Sequence, residues 1–103
     1  MIILQIKAES RNGEKVLDKL HKNEMVGIQG RAADKLNKIY GVTEYYEPGL
    51  YEKTICLEQD RHNKIRERTK WAQIEQEVIG DIRARLLLYG AKQDDYFITV
   101  SYK

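Results

Sequence analysis

Five cations crowd one short stretch of this chain: Arg61, Lys64, Arg66, Arg68 and Lys70, opposed within it by Glu67 alone. Guanidinium and ammonium groups at that density attract phosphates or carboxylates. The apolar periodicity downstream places them at the start of a long helix. That end is a helix's positive pole and prefers acids by about 0.3–1 kcal/mol each. Lys64 with Arg68, and Arg66 with Lys70, are also like-charge pairs four residues apart, each unfavourable by roughly 0.2–0.5 kcal/mol. The other half of the helix obeys the rules: Asp81 precedes Arg85 by four, and Arg83 and Arg85 lie towards the negative pole. A local violation inside an otherwise consistent element is where function is expected. The functional reading is a nucleic-acid-binding surface. The structural reading is a solvated face whose cations meet Glu52 or Glu58 of a preceding hairpin.

Other chemistry is sparse. Cys56 is the single thiol, placed mid-strand as a small half-buried residue. His21 and His62 are the two histidines; His62 sits near Asp60, with no strong nucleophile beside them. Gly27-x-x-Gly30-Arg31 lacks the lysine and hydroxyl of a phosphate-cradling loop. It reads as a turn whose backbone N–H groups, near Gly30 to Ala32, could hold an anion at a helix start. Glu44, Glu47, Asp94 and Asp95 fall in or near turns, where acids are ordinary, and Glu9 is the one acid at the end of the first strand. No carboxylates converge, so acid–base or two-metal chemistry is not indicated. No catalytic residue, metal site or cofactor is expected, and the chain reads as a non-enzyme.

The 103 residues suit one domain, 1–103, able to bury roughly two-thirds of its unfolded surface without a metal or disulfide. With 42% apolar and 33% charged residues the chain is globular, not disordered. Eighteen cations against sixteen anions leave +2, which excludes a wholly basic coat or an acidic nucleic-acid mimic but allows local segregation. No apolar run approaches a membrane span of ~18 residues. Met1 to Lys7 has neither the basic region nor the long apolar core of a signal peptide. A soluble, cytoplasmic protein is expected.

The elements that would position the basic stretch follow from periodicity. Ile2, Leu4, Ile6 and Ala8 alternate as one face of a strand, stopped by Arg11-Asn12-Gly13. Helical spacing predicts helices over 14–22 and 31–40, separated by an unreadable stretch, 23–30, broken by Gly27 and Gly30 and long enough to hide a fifth strand. Gly41 terminates the second. Val42 to Glu47 and Tyr51 to Glu58 read as a hairpin around Pro48-Gly49 with a longer loop. A third, long helix fits 62–89, with Ile65, Trp71, Ile74, Val78, Ile79, Ile82, Leu86 and Tyr89 as its stripe and Gly90 as its stop. It would span about 42 Å against about 27 Å for an eight-residue strand, so its basic start overhangs the sheet. Tyr96 to Tyr102 alternates as the last strand. The order predicts an α+β, ferredoxin-like split βαββαβ fold: a four-stranded antiparallel sheet with helices on one face and the first and last strands close together.

Such a sheet leaves a second face holding Ile3, Gln5, Lys7, Phe97, Thr99 and Ser101, with Thr54, Cys56 and Tyr45 from the hairpin. Tyr45, Tyr46, Tyr51, Trp71 and Phe97 are the candidate interface anchors, and a homodimer is expected. The third strand, Tyr51 to Leu57, lacks the basic-Gly-aromatic run with which RNA-recognition domains stack bases on this face. A compact enzyme whose site the sequence does not display is the least favoured of three readings, and two functions lead. One is a small binding module contacting nucleic-acid phosphates through residues 61–70. The other is an interaction or inhibitor protein, of the accessory kind that viruses and phages carry, directed at an acidic or apolar protein surface.

Overall fold

The computed structural model describes residues 2–11, 17, 20, 22–45, 54–59 and 68–103. Strand β1 (Ile3–Ser10) is followed by helix α1 (Lys22–Tyr40), strands β2 (Val42–Glu44) and β3 (Thr54–Gln59), helix α2 (Arg68–Leu88), a 3-10 turn over Gln93–Asp95, and strand β4 (Tyr96–Tyr102). The result is α+β: two helices and an open, antiparallel four-stranded sheet in the order β2-β3-β1-β4, compatible with a ferredoxin-like arrangement. First and last strands are neighbours, as expected.

β1 is central, and its alternation sets both faces. Leu4, Ile6 and Ala8 are buried and lie opposite Leu57 and Ile55 of β3 and opposite Tyr102, Val100 and Ile98 of β4. Gln5, Lys7 and Glu9 take the other face, opposite Ser101, Thr99 and Phe97. A slip of one residue would invert both sets, so burial of the first specifies the register.

The break expected over 23–30 is not there. One helix runs from Lys22 to Tyr40, with no fifth strand and no separate helix starting at 31. Met25, Ile28, Ala32 and Leu36 are all buried and recur every three or four residues, a stripe that continues through both glycines. A mid-helix glycine costs about 1 kcal/mol relative to alanine, less than the stripe regains by burial. At Gly30 a Cβ would lie 3.7 Å from Glu44 Oε1, an ordinary contact, so the packing there does not require the glycine. Of the earlier helix expected over 14–22, all but Leu17, Leu20 and Lys22 lies outside the described residues.

Both helix stops are left-handed glycines. Gly41 has φ 68° and donates its N–H to Asn37 O at 2.9 Å. Gly90 has φ 84°, and the N–H groups of Ala91 and Gly90 bond the carbonyls of Leu86 and Leu87, a Schellman closure. Trp71, Ile74, Val78, Ile82 and Leu86 of α2 bury into one cluster with α1 and the sheet. The helices run antiparallel, tied by Lys35 Nζ to Glu77 Oε2 at 2.8 Å and by the Tyr89 hydroxyl donating to Glu24. No helix among the described residues is long and apolar enough to cross a membrane.

β2 ends at Glu44, with Tyr45 already outside it, and β3 runs Thr54–Gln59; residues 46–53 of the expected hairpin lie outside the described residues. Tyr45 N–H still reaches Cys56 O at 3.1 Å, but the Cys56 N–H donates to Gln29 Oε1 of α1 at 2.9 Å. A helix side chain thus takes the place of a β2 carbonyl and ends the ladder. Gln29 is 6% exposed, and its Nε2 donates to Glu44 Oε1 at 3.3 Å. Pro48 and Gly49 lie outside the described residues.

Gln29→Leu keeps the volume and strands a buried N–H, so it should destabilise the fold by about 1–3 kcal/mol in urea melts. Lys35→Met, at an exposed ion pair, should leave the urea midpoint nearly unchanged. Equal effects would show that the Gln29–Cys56 bond does not close this edge.

Candidate nucleic-acid interface

The candidate surface enters α2 at its first turn, which holds no acidic residue. The backbone of Arg68 begins the helix, and Lys70 is exposed within the same turn. Arg61, Lys64 and Arg66 lie outside the described residues, as does the overhang expected for 62–67. The macrodipole and the cation therefore add at this end, where a helix ordinarily carries an acid.

Trp71 anchors that turn. It is 7% exposed and meets Tyr102 of β4 edge-on, with centroids 5.6 Å apart and planes at 86°. The Tyr102 hydroxyl donates to Glu75, one turn further along α2. Ile2, Trp71, Ala72, Glu75, Val100, Tyr102 and Lys103 line a shallow groove between the start of α2 and the end of β4. Trp71 thus fixes the basic helix start against the end of the last strand, and most of its own surface is spent within the chain.

The other interface anchors divide. Tyr46 and Tyr51 lie outside the described residues. Tyr45 is half-buried and, by its bond to Cys56, shares the face of the sheet away from the helices. Phe97 is 37% exposed on that face, with the Arg11 guanidinium 5.7 Å from its ring centre. The register brings Gln5, Lys7, Thr54, Cys56, Thr99 and Ser101 together there, as expected. The face is not evenly open, however. Cys56 and Ile3 are buried at 1% and 8%, whereas Thr99 and Ser101 beside Phe97 are exposed. Its accessible part is the β4 margin.

The glycine-rich anion loop is a correction. Gly27 to Ala32 are interior to α1, so their N–H groups are committed to the helix and make neither a turn nor a helix start. Cys56 is a buried strand residue, and both histidines lie outside the described residues. Asp95 caps the 3-10 turn, accepting from Lys92 N–H at 2.9 Å, and its carbonyl accepts from Arg11 N–H at the far end of β1. The described residues hold no group of three metal-ligating side chains.

Sequence reasoning missed the helix-to-helix ties. The Tyr89 hydroxyl donates to the Glu24 carboxylate, and that bond, with burial and the carboxylate's charge, raises its pKa. Lys35 is raised by its hydrogen bond and charge pairing with Glu77. Glu24 and Tyr89 are 65 positions apart, and only the antiparallel helix pairing brings them together.

No family model matches the chain, and no curated protein or solved structure matches it.

Two outcomes follow from this geometry. Trp71→Ala should cost about 3–5 kcal/mol in urea melts, because a large buried ring is lost from the core; a change under about 0.5 kcal/mol would place the ring at the surface. Tyr89 and Lys35 hold their protons more tightly when folded, so their stabilisation is complete below their ordinary values of 10.0 and 10.5 and is lost as pH rises through the raised values. Tyr89→Phe should therefore flatten the fall in melting temperature above about pH 10, and an unchanged alkaline slope would remove Tyr89 from that role.

Proposed function

We propose that this protein is a non-enzymatic binding module that takes nucleic-acid phosphates on the basic stretch Arg61, Lys64, Arg66, Arg68 and Lys70 leading into α2. The observation that carries the reading is the sign of charge at the helix start. A first turn without an acid, with Lys70 exposed, is electrostatically unfavourable for the free chain and favourable once a polyanion is seated. Contacts of this kind position a backbone and carry no base sequence, so binding is predicted to be weakly sequence-dependent. The fold that presents the stretch is read as the ferredoxin-like split βαβ. A central β1 between β3 and β4, and helices following β1 and β3, support that reading. A cytoplasmic setting fits a reduced, buried Cys56.

Reversing Lys64 and Arg68 to Glu should abolish binding to a labelled oligonucleotide in fluorescence anisotropy and leave the fold no less stable, since acids suit the positive pole. Binding by the native chain should weaken with salt at a log–log slope of about −0.9 per duplex phosphate neutralised, or about −0.7 on single strands. A destabilised double variant would assign these cations to salt bridges with Glu52 or Glu58. No detectable binding at low salt would move the function to an acidic or apolar protein surface.

A further inference from the structure

Among the described residues no strand covers the outer side of β4 from Tyr96 to Val100. Ile3 and Lys103 exchange both backbone bonds, and Arg11 N–H reaches Asp95 O. In an antiparallel ladder this alternation turns the N–H and C=O groups of Gln5, Lys7 and Glu9 towards Ser101, Thr99 and Phe97. Those of Tyr96, Ile98, Val100 and Tyr102 consequently point away from β1. Among the described residues no strand pairs with that side. Soluble proteins blunt such edges within the strand itself with a lysine, a proline, a bulge or a very short length. β4 has none of these: it is seven uncharged residues without proline or glycine, in unbroken register from Ser10↔Tyr96 to Leu4↔Tyr102. The core is also unfinished along this margin. Ile2, Ile79, Ile98 and Val100 pack on the buried cluster but remain partly exposed.

We propose that a second copy of this chain closes the edge, pairing β4 with β4 in antiparallel fashion about a two-fold axis at Thr99. That register is the one in which the whole strand pairs with itself. Tyr96 then faces Tyr102 of the second copy, Ile98 faces Val100, Phe97 faces Ser101, and Thr99 faces Thr99. Each is a pairing of aromatic, β-branched or hydroxyl side chains of the kind that stabilises sheets. One step beyond the strand, Asp95 faces Lys103 of the second copy at both ends, so the only charges that meet are opposite. The axis at Thr99 makes the contact isologous and closed, and the two sheets become one of eight strands. The homodimer expected from the sequence thus uses the edge of β4 and not the face carrying Tyr45. The surface is independent of the polyanion reading, and either can fail alone.

The test is register-specific cross-linking of the full chain, with the mass followed by light scattering. A Thr99–Thr99 pair lies at a non-hydrogen-bonded position, with Cα atoms about 4.5 Å apart, within disulfide range. Thr99→Cys should give a covalent dimer on mild oxidation. Ser101→Cys, about 13 Å from its counterpart, should not. Cys56 is buried and should leave the native chain uncross-linked. Thr99→Glu sets like charges across the axis and should raise the dimer dissociation constant at least about tenfold, with the dilute protein no less stable because Thr99 is exposed and lies opposite Lys7. A native chain that stays monomeric at high micromolar concentration would overturn the proposal. So would a dimer indifferent to Thr99→Glu, or one that cross-links through Ser101→Cys and not Thr99→Cys.

Discussion

An open sheet has two edges, and every backbone group along them needs a partner or water. In this chain the edges are handled differently. On the β2 side α1 supplies side chains: Asn37 donates to Val42 O on the outer edge, and Gln29 accepts from the Cys56 N–H of β3 where β2 ends. On the β4 side no side chain among the described residues closes the outer groups of Ile98 and Val100. The stable core and the proposed contact surface are consequences of one asymmetry.

The helices carry the same asymmetry in charge. α2 ends as a helix should, with Arg85 in its last turn and a left-handed glycine closing its carbonyls. It begins with cations and no acid, and Trp71 pins that first turn to Tyr102 at the end of β4. The unfavourable end is therefore held by core packing and need not be favourable by itself. Packing strength at Trp71 frees the preceding residues to serve an anion, which is the physical basis of the functional reading.

Much of the fold was legible because burial and period coincide. β4 has the bounds its alternation predicts, and Gly41 and Gly90 stop their helices through positive φ. α1 was misread because two glycines look like punctuation, while the stripe from Met25 to Leu36 runs past them; tertiary burial outweighs a small propensity cost. The shortness of β2 was not legible at all. It depends on Gln29, 27 residues from its partner Cys56, and a polar residue inside an amphipathic stripe looks like an interruption. The face away from the helices was placed correctly but read as too open, since alternation reports direction and not cover. Of the candidate site, the charge pattern was legible in the sequence, and so was the burial of Trp71. The Tyr102 that Trp71 meets was not, because the contact joins elements far apart in the chain.

Amide hydrogen exchange, read residue by residue as protein concentration is raised, tests the two-edge account most directly. Cys56 N–H, closed within the chain by Gln29, should be protected equally at every concentration. The N–H groups of Ile98 and Val100 should exchange freely in dilute protein and gain protection together as copies associate. Protection of Ile98 and Val100 in the dilute monomer, or none in the concentrated protein, would contradict the account. So would a Cys56 amide that exchanges as fast as theirs.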